Sequence, residues 1–182
     1  MPLSSLISSL ENHGKHFPKE KIASDRTIAW IREYGEFAFV KENFDWHLTG
    51  SMMITNPEKT KVLLMLHKKF GRWQQFGGHC DGEIDVRNVA LREFHEESGI
   101  LVEPEIIWDI FMVDVHDISM DAKGRKEHYH FDVMYLATIA EDIPFLRQES
   151  EVDDIRWFDI DAIDKFVEED MIPRIHKIKN FS

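Results

Sequence analysis

Gly77-Gly-His-Cys-Asp-Gly-Glu-Ile-Asp-Val-Arg-Asn-Val-Ala-Leu-Arg-Glu-Phe-His-Glu-Glu-Ser-Gly-Ile100 places three glutamates, Glu93, Glu96 and Glu97, on one predicted helix. At about 100° per residue, the three fall within about 100° of arc. With Val86 set at zero, Ala90 stands at about 40°, Phe94 at about 80°, Val89 at about 300° and Leu91 at about 140°, which defines an apolar stripe. Glu97 at about 20°, Glu93 at about 340° and Glu96 at about 280° continue that stripe toward the helix C-terminus. Asn88, Arg92 and His95 take the opposite face, where a solvated run of charge would also have put the acids. An inward carboxylate is unfavourable unless paired, protonated or bound to a cation, and three together repel one another. The pattern therefore points to a divalent cation, which a phosphate-cleaving site requires.

The ends of this helix are legible. Asp85 is suited to accept an early helical N–H as N-cap, and Gly99 suits the position just past the end, where a left-handed residue closes many helices. The glycine pair Gly77-Gly78 follows the strand-like run 72–76. Glycines there let the backbone approach a metal or phosphate closely, with carbonyl or N–H groups as ligands. A glycine pair alone is a weak signal, but followed by Arg92-Glu-x-x-Glu-Glu-x-Gly99 it is a strong one.

Arg92-Glu-Phe-His-Glu-Glu-Ser-Gly-Ile100 resembles the second half of the Nudix box at every position. The first half departs by one residue: the family's first Glu falls on Ile84, and the nearest acid is Glu83. The loop after Gly78 is thus one residue short and the stretch after Glu83 one residue long. Further runs, His47-Leu-Thr-Gly-Ser51, 61–76, Asp114-Val-His116, His128-Tyr-His-Phe-Asp132 and Glu149 through Phe158, also resemble a Nudix subgroup whose substrate the residues leave open. The resemblance spans roughly residues 45–165. It implies an α/β/α sandwich built on a mixed sheet, with 46–182 as the Nudix hydrolase domain; residues 1–45 lie outside the resemblance, and their apolar periodicity reads as a helical extension packed on the same domain. It also implies a Mg²⁺- or Mn²⁺-dependent hydrolase acting on a nucleoside diphosphate linked to another group. Glu93, Glu96 and Glu97 would hold the cations with a carbonyl of Gly77 or Gly78. Arg92 would orient the box glutamates, with Glu83 as a partner, although an i,i+4 pair with Glu96 is also open to it. The general base would be a box glutamate or Glu149, which lies with Glu151 in a polar loop; plain loop acidity is the alternative for both.

Bulk properties agree. The chain has 182 residues, enough for one domain with a real core. Lys and Arg number 22 against 34 Asp and Glu, a net charge of −12, which argues against general binding to a nucleic-acid polymer. Cys80 is the single cysteine, so no intramolecular disulfide forms. The N-terminus lacks a signal-peptide pattern and no apolar run has membrane-spanning length. The expectation is a cytoplasmic protein without membrane contact.

Helices are predicted over 3–12 and 25–43, with Ser24 or Asp25 as a cap; this lead-in is also a candidate homodimer contact. Strands are predicted over 48–55, 61–67, 72–76, 104–115, 127–139 and 152–158, with a polar loop at 119–126 and a helix from about 161. His128, His130 and Asp132 alternate along one strand and share a face, as do Asp114 and His116 on the strand before. Three readings stay open for that face: substrate contact, hydrogen-bonded sheet histidines, or zinc, for which the spacing supplies no third ligand. His79, His47 and Ser51 are candidate phosphate contacts. Trp46, Trp73, Trp108 and Trp157 read as core or sheet-face residues. The rival from another class is a non-catalytic Nudix-fold module that senses nucleotides or binds protein partners.

Overall fold

The computed structural model describes residues 2–41, 46–118 and 128–181, without the side chains at 107–109, 117, 118 and 128. The expected loop at 119–126 and the side chains of Trp108 and His128 therefore lie outside the described residues.

The chain opens with two amphipathic helices, α1 (Leu3–His16) and α2 (Lys21–Tyr34). α1 buries Leu6, Leu10 and His13, and α2 buries Ser24, Thr27, Ile28 and Ile31. Both sets follow the helical i, i+3/i+4 spacing. α2 begins four residues earlier than its sequence suggested, so Ser24 is packed inside it, where a cap had been expected. It also ends sooner, because Gly35 adopts φ +58 and diverts the chain into a 3₁₀ turn, Gly35–Phe39.

The strands are β1 (Trp46–Thr55), β2 (Lys61–His67), β3 (Arg72–Gln74), β4 (Phe76–His79), β5 (Glu105–Ile118), β6 (His128–Thr138) and β7 (Val152–Asp159). Between β4 and β5 lies the box helix α3 (Val86–Ser98). β7 leads into a 3₁₀ segment, Ile160–Lys165, and α4 (Met171–Ile178), where one helix from 161 was expected. The order β3-β2-β1-β6-β5 forms the main path of a seven-stranded sheet, with β4 joined to β1 and β7 to β2. The result is an α/β fold: a mixed sheet with flanking helices and a helical N-terminus. β2 pairs β7 along its length, from Lys61 opposite Asp159 to His67 opposite Val152, with a bulge at Leu66/His67. On its other edge it pairs β1 at Leu63/Ile54 and β3 at Leu66/Trp73.

Two compact units arise. One comprises 1–51, 77–90 and 109–135; the other comprises 52–76, 91–108 and 136–182. In the first, the N-terminal helices belong to the same unit as part of the sheet. His13, 4% exposed, joins the carbonyl of Ile110 at 2.9 Å and the Glu20 carboxylate at 2.7 Å, and Glu20 also accepts the N–H of Val113. Trp30 stacks on Trp46 and Phe131, and Trp46 on Tyr129. In the second unit the core holds Met52, Met53, Val62–Met65, Phe76, Phe94, Ile155 and Ile175, and Trp73 lies edge-on to Phe158. Among the described residues, no helix is long and apolar enough to cross a membrane.

Candidate functional site

The box helix carries its acids at three depths. Glu97 is 2% exposed. The side chain of Glu93 is 17% exposed and that of Glu96 is 54% exposed. The expectation that all three point inward therefore holds for Glu97 and Glu93 and fails for Glu96. Glu96 stands farthest from the centre of the apolar stripe, so its carboxylate reaches solvent. Phe94, fully buried, anchors this part of the helix edge-on against Phe76 at 5.3 Å. Burial pushes the Glu93 carboxyl above its ordinary value; Arg92 opposes this, while Glu96 and Glu151 act in the same direction as burial. Glu151, for which plain loop acidity is the alternative reading, is thus close enough for Glu93 to sense its charge.

Arg92 reaches both neighbours. Its guanidinium donates to Glu93 Oε1 at 2.8 Å and stands 3.8 Å from Glu96. The N-terminal cap is as expected: Asp85 Oδ1 accepts the N–H of Asn88 at 3.3 Å. Glu83 accepts the N–H of Asp85 at 3.0 Å. The shortened loop before it turns through Asp81 at φ +48 and Gly82 at φ +91, and Gly82 donates to the carbonyl of Phe39 at 2.9 Å. Beyond the helix, Leu146 and Gln148 donate backbone N–H groups to the carbonyls of Ser98 and Glu97. These bonds stitch the loop that carries Glu149 to the last turn of α3. Glu149 itself is exposed and lines a shallow cleft with Phe145, Leu146, Arg147, Asp154 and Ile155.

Gly77 and Gly78 lie within β4, a separate strand that begins at Phe76, where the sequence predicts the end of one strand over 72–76. A Cβ at Gly77 would stand 2.6 Å from Ser51 Cβ and 2.8 Å from the Gly50 carbonyl oxygen, so β1 and β4 approach each other only because glycine is there. Across these strands the first unit gathers a polar set. His47, Thr49 and Ser51 alternate along β1, and all are buried. Thr49 and Ser51 donate to the buried Asp132 carboxylate at 2.9 and 2.7 Å. His47, His79 and His130, from β1, β4 and β6, bring a ring nitrogen each to within 4.8 Å of one another. His116 faces His130 at 5.6 Å between ring centroids and lies 3.2 Å from the Asp114 carboxylate. The sequence singled out His47, Ser51, His79 and His130 separately. The signal that joins them is a pair of alternating stripes, His47-x-Thr-x-Ser51 and His128-x-His-x-Asp132, on strands that become neighbours.

The NUDIX domain family matches residues 46–178, most of the chain. The chain belongs to the Nudix family. Its relatives include a Lactococcus lactis subsp. cremoris (strain MG1363) protein described as a probable DHNTP pyrophosphohydrolase, 27% identical over 119 residues. That alignment covers 65% of this chain and 66% of the relative, just under two thirds of the relative's length. Among solved structures, a C. elegans Ap4A hydrolase binary complex superposes with a TM-score of 0.58 at 20% identity, covering 74% of this chain and 96% of that one. The NUDIX domain of Shewanella oneidensis NrtR, complexed with ADP ribose, gives 0.56 at 22% identity, covering 73% and 86%. At these identities the two structures establish the Nudix fold. The Nudix match begins at Trp46, so α1 and α2 lie outside it.

Proposed function

We propose that this Nudix chain is a divalent-metal-dependent hydrolase of the phosphoanhydride bond in a nucleoside diphosphate linked to another moiety. Residues 1–45 are the helical extension and 46–182 the hydrolase domain. The observation that carries the reading is the buried Glu97 carboxylate beside a desolvated Glu93 on the box helix. A buried acid is kept by pairing, protonation or a bound cation; Glu93 has Arg92 at 2.8 Å, and a cation held by the box carboxylates is the arrangement we propose. The donor set also fits the family's divalent metal: carboxylate oxygens from Glu93, Glu96 and Glu97, with a carbonyl of Gly77 or Gly78, are hard ligands of the sort Mg²⁺ and Mn²⁺ take. When bound, such an ion neutralises the diphosphate and lowers the pKa of an attacking water.

The chain's own contribution is placement. Arg92 holds Glu93 in one rotamer through its 2.8 Å bond and draws Glu96 toward the same side of the helix. The proton leaves the attacking water for a box glutamate or for Glu149, whose loop is tied to the end of α3. His47, Ser51, His79, His128 and His130 are assigned to substrate. For Ser51 the contact runs through the strand it fixes, since its hydroxyl is given to Asp132. A cytoplasmic setting belongs to the same reading, supported by the single, buried Cys80. So does a homodimer through the N-terminal helices, supported by Ile22 and Phe37, which stand 75% and 63% exposed; gel filtration at several concentrations tests it.

The deciding experiment offers the protein dinucleoside polyphosphates, nucleotide sugars, ADP-ribose, NADH and nucleoside triphosphates with Mg²⁺ or Mn²⁺. Turnover of one class is expected, absent with EDTA and reduced by orders of magnitude in Glu97→Gln with the fold intact. Glu149→Gln, assayed across pH, separates a base in the loop from one in the box. Tight binding of a nucleotide with no turnover of any substrate would replace this reading with a sensing module.

A further inference from the structure

We propose that His47, His79 and His130 form a transition-metal site suited to Zn²⁺, distinct in ligand chemistry from the carboxylate set. The three residues come from three strands, and one ring nitrogen of each lies within 4.8 Å of the other two. The ring centroids are 5.0 Å apart for His47 and His79, 4.8 Å for His47 and His130, and 5.2 Å for His79 and His130. The rings are mutually tilted, so their edges converge and their faces do not stack. Around a tetrahedral zinc with bonds of ~2.05 Å, ligand nitrogens stand roughly 3.3 Å apart. Small rotations of the half-buried His79 and His130 close that difference, while the buried His47 serves as the fixed ligand.

Neutral imidazole is the ligand that Zn²⁺ and its first-row neighbours prefer, and Mg²⁺ does not. The charge around the trio is also of the right sign. Asp132, 4% exposed, lies on the same strand face as His130 and is bonded to Thr49 and Ser51, which continue the face of His47. A buried carboxylate there disfavours a bare phosphate and favours a cation. Asp114 holds His116, which in turn faces His130. Three protein ligands leave a fourth position for water or a phosphate oxygen, as zinc sites that act on substrates do. Such an ion would give the histidines assigned above to substrate a single shared contact with it. The site itself does not depend on the glutamates being hydrolytic.

The test titrates Co²⁺ into the full chain, freed of any polyhistidine tag and of bound metal, in excess Mg²⁺ to occupy oxygen ligands. One equivalent is expected to give the intense visible absorption of four-coordinate cobalt and to be displaced by Zn²⁺. His79→Gln and His130→Gln should each weaken uptake at least about 10-fold, and Glu97→Gln should leave it unchanged even where turnover is lost. That pattern separates failure of this site from failure of the hydrolase reading. Uptake undiminished in both histidine variants, or none in the wild type, would overturn the proposal. X-ray absorption at the zinc edge of the wild-type protein decides the matter without any variant: imidazole nitrogens support the site, and an all-oxygen shell refutes it.

Discussion

Gly99 shows how one residue governs the end of the box helix. It holds φ +65, and a Cβ on it would stand 2.0 Å from the carbonyl oxygen of Leu146. Backbone cannot yield as a side chain does, so Gly99→Ala combines left-handed strain with a direct clash. We expect a loss of about 2–4 kcal/mol in urea unfolding, with displacement of the loop bearing Glu149. His67 supplies a pH prediction. Burial holds its imidazole below the usual 6.5, and its Nδ1 accepts the N–H of Lys69 at 3.1 Å, which only the unprotonated nitrogen can do. The unfolded chain then binds more protons than the folded one once pH falls below that usual value. Stability should therefore drop as pH falls from about 7 toward 5, levelling once the folded imidazole has titrated. Thermal melts of wild type and His67→Gln across that range should show the larger drop in the wild type. At this scale the sequence was legible where geometry is local. The helical wheel found Glu97 and Glu93 because their depth follows from the angle to Val86, and it misplaced Glu96 because the edge of a stripe depends on what packs beside it.

The meeting of α3 with β1 is decided by another glycine. A Cβ at Gly50 would lie 2.6 Å from the Val86 carbonyl oxygen and 3.2 Å from Val89 Cβ, so the first turn of the helix rests directly on the strand backbone. Gly50→Ala should push the helix outward, with a destabilisation of about 1–3 kcal/mol and a measurable shift in the amide spectra of residues 86–90. Element positions were readable where capping or hydrophobic period marks them, as at Asp85 and along β2. They were not readable at β4, because glycines carry no strand signal and pairing with β1 alone makes 76–79 a strand. The early start of α2 was missed for a related reason: Ser24 reads as a cap, yet tertiary packing buries it in the helix.

At the scale of the molecule, the N-terminal helices complete a core. Leu6, Leu10, Ile28 and Ile31 are all nearly inaccessible, and each contributes about 1.5–3 kcal/mol of burial. Their sum rivals the whole stability of a typical domain, roughly 5–15 kcal/mol. Deletion of residues 1–34 also strips partners from Ile110, Val113, Trp46 and Phe131. The truncated chain should therefore show no cooperative melt by circular dichroism; a sharp transition near that of the full chain would contradict this. The histidine trio was out of reach of sequence alone at this scale. Its members are far apart in the chain, and only the register of separate strands brings them together. The position of β2 has a further consequence. It is hydrogen-bonded along one edge by β7 and along the other by β1 and then β3. The amides of Val62 to Met65 cannot meet solvent until a neighbouring strand peels away, so deuterium should reach them last, and their exchange rate should report the free energy of opening the whole unit.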